Sequence, residues 1–177
     1  MDILRLEPIA EHGYSGRFLY NIFINGRDFI NMVREVELPF ARREGPFVKA
    51  GDYLGFNDYT LEHQIESFLT DGTRYILCES SWDDDECLFV RITTTETTVT
   101  WSNFFNNYHI DKNKENFWDH SALGPFIFDK EQYVAEFTRE HRKLFWPSYH
   151  DPREDYPFLQ TNRSGIAKDG TNDENKS

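Results

Sequence analysis

The stretch RYILCESSWDDDECLFVRITTTETTVTWSNF, residues 74–104, decides the fold. Its residues 74–78, 87–93 and 97–104 are three runs rich in β-branched and aromatic side chains, the composition typical of strands. Between the second and third runs lie only Thr94, Thr95 and Glu96, so we expect a tight turn there. The stretch therefore predicts an antiparallel meander.

A further strand is predicted upstream. Residues 17–24 (RFLYNIFI) have strand composition and run into Asn25-Gly26, the dipeptide that best tolerates the backbone angles of a tight hairpin turn. The next stretch is ambiguous, because apolar residues fit helical spacing at 29, 33, 36 and 40 and strand alternation at 30, 32, 36 and 38. We favour a short helix, with Asp28 as its N-cap and Pro39 near its end.

Two helices are expected further along the chain. In residues 60–70 the apolar side chains fall on one helical face. After a short apolar run at 124–128, Asp129 is expected to cap a last helix that ends before Pro147, with Gln132 as the reciprocal capping partner. One face of that helix carries Tyr133, Phe137, His141, Leu144 and Phe145. The predicted class is α+β, an antiparallel sheet packed with two or three helices.

Length and composition indicate one globular domain. The chain has 177 residues, of which 38% are hydrophobic and 16% aromatic, enough to form a single core. We place this domain at residues 1–160. Residues 161–177 are polar and contain few large apolar groups, so we expect a flexible tail.

The net charge limits which classes of macromolecule the protein is expected to bind. Thirty-one acidic against 19 basic residues give a formal charge of -12, which opposes binding to phosphate-rich nucleic acid and suits a basic protein. The N-terminal residues lack the basic start and apolar run of a signal peptide, and no apolar stretch is long enough to span a membrane. We therefore expect a cytoplasmic protein with no membrane contact. The sequence has neither a Walker pattern nor the three-glycine dinucleotide fingerprint, and we predict no cofactor.

The strongest candidate site is the acidic loop, residues 79–86, between two predicted strands. It contains five carboxylates and no basic residue, so their repulsion must be relieved by solvent, a cation or a basic partner. Its tryptophan favours partner binding, because an aromatic side chain among charges can anchor an interface. The regular ligand order of a calcium loop is absent. The candidate partner-binding residues are Glu79, Trp82, Asp83, Asp84, Asp85 and Glu86.

Three other interpretations stay open. Cys78 and Cys87 could form a disulfide, contribute half of a zinc site, or be small core residues, and we predict no metal. Asp119 and His120 offer a carboxylate and an imidazole for a small hydrolase, which would need both to converge with a loop carboxylate. Exposed aromatic residues could instead make the chain a non-enzymatic adaptor.

Several motifs carry a resemblance to a family of small bacterial proteins: NGRDF at 25–29, VREVELPFA at 33–41, VTWSNF at 99–104 and WDHSALGPFIFDKEQY at 118–133. In that family Cys-x-Cys-Gly precedes a later Gly-Cys, whereas this chain has Ser80 at the second cysteine position. The chain also looks like the immunity proteins of polymorphic toxin systems, including contact-dependent growth inhibition. That resemblance implies a non-enzymatic inhibitor, monomeric until it pairs with a basic toxin domain, and we expect the toxin to be a nuclease.

Overall fold

A computed structural model describes residues 1–12, 17–57, 65–78 and 86–145. Eight strands and two long helices are assigned in these residues. They are β1 (Leu4–His12), β2 (Arg17–Ile24), β3 (Arg27–Asp28), α1 (Phe29–Glu44), β4 (Phe56–Asn57), β5 (Gly72–Cys78), β6 (Cys87–Thr94), β7 (Thr98–Asn106), β8 (Phe126–Asp129) and α2 (Lys130–Phe145). The antiparallel sheets and helices confirm the predicted α+β class.

The first sheet is built on the β1–β2 hairpin. Leu4 and Leu6 are buried while Arg5 between them is exposed, the alternation of a strand with one face on the core. β2 ends as predicted at Asn25-Gly26, where φ angles of 54° and 76° fit a tight hairpin turn. β3 and β4 pair with different parts of β2. β1, β3 and β4 were not among the strands predicted from the sequence.

The second sheet has the order β5-β6-β7-β8, and all its neighbouring strands are antiparallel. Its first three strands confirm the predicted meander, although β7 continues two residues beyond the predicted end at 104. The two sheets touch at their edges, because Asp2 bridges Phe128 of β8 and the Leu54 N–H donates to the Cys78 carbonyl.

Helix α1 is longer than predicted. Asp28 caps it as expected, accepting from the Asn31 N–H at 3.0 Å. The expected end near Pro39 is wrong, since the helix continues to Glu44. Proline removes one backbone hydrogen bond, but burial of Ala41 beyond it keeps the last turns on the core.

Helix α2 begins after its predicted cap, because Asp129 Oδ1 accepts from the Gln132 N–H at 3.0 Å. The predicted reciprocal capping bond from Gln132 is wrong, because its side-chain amide donates instead to the Leu4 carbonyl at 2.8 Å. Tyr133 and Phe137 are buried as predicted. The helix ends at Phe145, two residues before Pro147. Of the helix expected at 60–70, residues 65–68 are helical and residues 60–64 lie outside the described residues.

The core is aromatic and joins both sheets to both helices. Phe29 of α1 contacts Trp101 and Phe126 of the second sheet, and Phe137 of α2 contacts Phe56 of the first. Met1–Phe145 forms one compact unit. Neither the predicted boundary at 160 nor the predicted tail at 161–177 falls within the described residues. No helix in the described part of the chain has the length and apolar character needed to cross a bilayer.

Candidate functional site

A buried carboxylate organises the polar interior. Glu37 lies on the core face of α1, four residues after Val33 and four before Ala41, and is only 1% exposed. Its Oε1 accepts from the Tyr53 hydroxyl at 2.7 Å and lies 3.0 Å from Nε2 of His120. Its Oε2 accepts from the Gly51 N–H at 2.7 Å. This carboxylate therefore ties α1 to two irregular segments of the chain.

The network continues from Tyr53 towards the acidic loop. The Tyr53 hydroxyl accepts from Nδ2 of Asn106 at 3.0 Å, and the same amide nitrogen donates to Oε1 of Glu86, the last residue of the loop. Burial, reinforced by the neighbouring Glu37 carboxylate, raises the pKa of Tyr53 above its ordinary value. A neutral hydroxyl thus links the interior carboxylate to the amide that holds Glu86.

His109 lies beside this hydrogen-bond network, and its ring is held by contacts on three sides. Its ring stacks on Trp118 with 3.9 Å between centroids, and its Nδ1 lies 2.7 Å from the Asn116 carbonyl oxygen. Trp118 in turn donates from Nε1 to Oε1 of Glu44 at 2.5 Å. The imidazole lies between two carboxylates: Nδ1 is 3.8 Å from Glu44 Oε1, and Nε2 is 3.5 Å from Glu86 Oε1.

These groups border an open groove of about 460 Å³, which we call the Glu44–Glu86 groove. Its remaining walls include Phe47, Val48 and Lys49 on one side and Tyr108 and Asn116 on the other, so two exposed aromatic side chains border it. Phe47 is 94% exposed and Tyr108 is 56% exposed. Asp52 adds a third carboxylate to the lining and binds Lys49 at 2.8 Å. The groove thus combines acidic groups with uncovered apolar surface.

Most of the predicted binding residues, Glu79 to Asp85, lie outside the described residues. The structure places both ends of the loop. Cys78 and Cys87 are directly opposed in the β5–β6 pair and joined by a disulfide, so of the alternatives left open by the sequence the structure shows the disulfide. Glu86, next to the bridge, borders the Glu44–Glu86 groove.

The alternative pair, Asp119 and His120, borders a different cavity of about 500 Å³. The two side chains have separate partners. Asp119 accepts from the Ser121 N–H at 2.9 Å, and hydrogen bonds from Ser121 lower the pKa of its carboxyl group. His120 is buried, with Nδ1 at 3.2 Å from the Trp118 carbonyl and Nε2 on Glu37. Glu86 is not among the residues that line this cavity.

Sequence reasoning missed the residues that form the buried network. Glu37 is the exception that left a signal, because a carboxylate at helical spacing from Val33 and Ala41 falls on an apolar face and needs a partner there. Asn106 and His109 follow the last predicted strand with no spacing that connects them to Tyr53 or Glu86. Only the folded chain brings them together.

In the described parts of the chain, no cluster of three or more histidine, cysteine, aspartate or glutamate residues is arranged to hold a metal ion. No family model, curated protein or solved structure matches this chain. The resemblance to small bacterial proteins and to immunity proteins therefore stays a prediction.

Proposed function

We propose that this protein is an inhibitor of the immunity type, which binds a basic toxin domain, a nuclease, and occludes its active site. The observation that carries the proposal is the concentration of carboxylates at one end of the second sheet. Glu44, Asp52 and Glu86 line one groove there, and the disulfide-linked ends of the acidic loop lie at the same end. A nuclease needs cationic side chains to hold phosphate, and carboxylates are their natural competitors.

The surroundings of the carboxylates favour binding over catalysis. Phe47 and Tyr108 are large exposed aromatic side chains next to the carboxylates. Protein interfaces commonly combine aromatic anchor residues with a surrounding polar rim. Catalysis by Asp119 and His120 has less support. Both nitrogens of the imidazole face acceptors inside the protein, and the carboxylate binds the backbone of its own turn.

The proposed complex is a heterodimer of one inhibitor with one toxin domain in the cytoplasm. The Cys78–Cys87 disulfide is typical of oxidising compartments, where such bridges persist. In a reducing cytoplasm the two cysteines would be a dithiol, and the paired strands β5 and β6 would still hold the ends of the loop together.

The proposal is tested by co-expression. The neighbouring open reading frame, which the proposal predicts to encode the toxin domain, is expressed from an inducible promoter with and without this protein, and colony survival is counted. We expect survival only when both are present. Equal killing with and without this chain, at matched toxin levels, would overturn the proposal.

The acidic loop is tested by association kinetics with the same toxin domain. Replacing Asp83→Asn together with Asp84→Asn removes two charges, so we expect association to slow roughly three- to tenfold at low ionic strength and to depend less on salt. The matched control is the pair Glu96→Gln and Glu131→Gln, two exposed residues that border a separate cavity. An association rate that falls equally in both pairs would assign the effect to net charge instead of the loop.

A further inference from the structure

The hairpin turn after β2 contains the only Asn-Gly dipeptide in the sequence. Asparagine followed by glycine is the pair most prone to spontaneous loss of the side-chain amide, because glycine has no Cβ to hinder the backbone nitrogen that attacks it. Asn25 and Gly26 are both exposed. A Cβ built on Gly26 would meet no heavy atom within 4 Å, so the surroundings of this glycine are open.

The Gly26 nitrogen, which would carry out the attack, makes no hydrogen bond with any residue that the structure describes. Its neighbour differs, because the Asn25 N–H donates to the Ile3 carbonyl at 2.9 Å. A backbone nitrogen attacks only after it has lost its proton, and a proton without an internal acceptor stays open to the solvent base that removes it. The attacking group is therefore accessible in the folded protein.

The side-chain amide of Asn25 helps to join the two sheets. Its Oδ1 accepts from the Ile3 N–H at 2.9 Å, and its Nδ2 donates to Oδ1 of Asp2 at 2.7 Å. Asp2 in turn binds the outer edge of β8, where its N–H donates to the Ile127 carbonyl and its Oδ2 accepts from the Ile127 N–H, both at 2.6 Å. Asn25 therefore orients the carboxylate that links β8 to the first sheet.

From these contacts we propose that Asn25 is a site of non-enzymatic deamidation, and that its product weakens the link between the two sheets. The Gly26 nitrogen forms a bond to Cγ of Asn25, and Nδ2 leaves as ammonia with the proton that the Gly26 nitrogen gave up. Water then opens the cyclic succinimide at one of its two carbonyl carbons. The net reaction consumes one water molecule and releases one ammonia molecule, with no oxidation or reduction.

The products differ from asparagine in charge and in backbone length. Opening at Cγ leaves aspartate at position 25, whereas opening at the main-chain carbonyl leaves isoaspartate, which adds a methylene to the backbone of the tight turn. In the aspartate product the Ile3 N–H keeps its acceptor, but the Asp2 carboxylate faces a second carboxylate in place of a donor. Two like charges in contact repel, so Asp2 loses the contact that fixes it on β8.

The modification is measured on the full-length protein, incubated at mildly alkaline pH, by mass spectrometry of the peptide that contains position 25. We expect Asn25 to be converted at least about tenfold faster than Asn21, which precedes a bulky isoleucine, and Gly26→Ala to slow the conversion by a similar factor. Circular dichroism checks that Gly26→Ala is folded. Conversion of Asn25 in the wild type no faster than that of Asn21 would overturn the site.

The structural consequence is tested with Asn25→Asp, which reproduces the aspartate product directly. We expect its melting temperature to fall by roughly 3–6 °C, because one hydrogen bond is lost and a like-charge contact is added. The matched control is Asn113→Asp, whose amide donates to Asp111 at 3.3 Å within a single turn. It should melt within about 2 °C of the wild type. Equal losses in the two variants would show that the link to β8 is not what the new charge weakens.

Exchanging the two residues provides a rescue. In the double variant Asp2→Asn with Asn25→Asp, the amide oxygen at position 2 can accept from the Ile127 N–H, and its NH₂ group can donate to the carboxylate at position 25. The exchange thus restores the same contacts with donor and acceptor reversed, and we expect it to regain at least about half of the melting temperature lost in Asn25→Asp. A double variant that melts as low as Asn25→Asp would refute Asp2 as the contact that deamidation breaks.

Discussion

Replacing Glu37 by glutamine tests whether the buried network holds the fold together. The carboxylate accepts from Tyr53, His120 and Gly51 through two oxygens. The glutamine side chain has one amide oxygen and one NH₂ group, so the NH₂ group must face one of these three donors. If the oxygen stays with Tyr53 and His120, the new NH₂ group faces the Gly51 N–H, and both are left unpaired in the interior.

The cost follows from those contacts. A buried donor without a partner costs about 1–3 kcal/mol, and the two remaining bonds lose the contribution of the charge, about 0.5–1 kcal/mol each. We expect Glu37→Gln to lower the free energy of unfolding by about 3 kcal/mol. For a chain of this size that corresponds to a melting temperature lower by roughly 6–12 °C.

The assay is urea and thermal unfolding followed by circular dichroism. The matched control is Glu35→Gln on the same helix, whose carboxylate is 68% exposed and pairs with Arg27 at the surface. That pair contributes less than about 1 kcal/mol, so the control should melt within a few degrees of the wild type. If Glu37→Gln melts no lower than the control, the network does not stabilise the fold as its geometry implies.

Two further predictions concern the same network. Because the folded-state pKa of Tyr53 lies above its ordinary value, its contribution to stability is complete below about pH 10 and is lost as pH rises further. In urea unfolding above pH 10, the free energy of unfolding of Tyr53→Phe should therefore fall less steeply with pH than that of the wild type, by up to about 1.4 kcal/mol per pH unit. Identical slopes for the two proteins would contradict this prediction. Gly51 has a φ of +60°, and an added Cβ would lie 2.6 Å from Cβ of Arg34, so Gly51→Ala should lower stability by at least about 2 kcal/mol. Gly26→Ala is its control, because Gly26 also has a positive φ but no heavy atom lies within 4 Å of the added Cβ; equal losses in thermal melts would show that strain alone, and not the contact with Arg34, sets the cost.

The meander, β2 and the two long helices were predictable because their signals are local, whereas β1, β3 and β4 were not predicted. The hairpin end at Asn25-Gly26 and the caps Asp28 and Asp129 depend on residues within a few positions of one another. The errors arose where distant contacts outweighed local preference. Helix α1 passes through Pro39 because its later residues pack on the core, and Gln132 binds Leu4, 128 residues away, instead of its own cap.

The candidate site was predictable only in part. The acidic loop could be recognised because its charge is concentrated in consecutive residues, and Glu86 does border the groove. His120 was considered as a hydrolase residue beside Asp119, yet its partner is Glu37, 83 residues away. No local pattern encodes such a contact, since it depends on how α1 packs against the segment that follows β7.

The sequence by itself determined the α+β class, the meander, the acidic excess and the place of its densest cluster. These properties follow from composition and short-range periodicity, which each segment carries independently of the rest of the chain. The tertiary structure alone decided that Glu37 is buried with three partners and that Glu44 and Glu86, 42 positions apart in the sequence, face one groove across His109. Burial removes water as the alternative partner, so polar groups distant in sequence must satisfy one another, and only the packed chain fixes which of them meet.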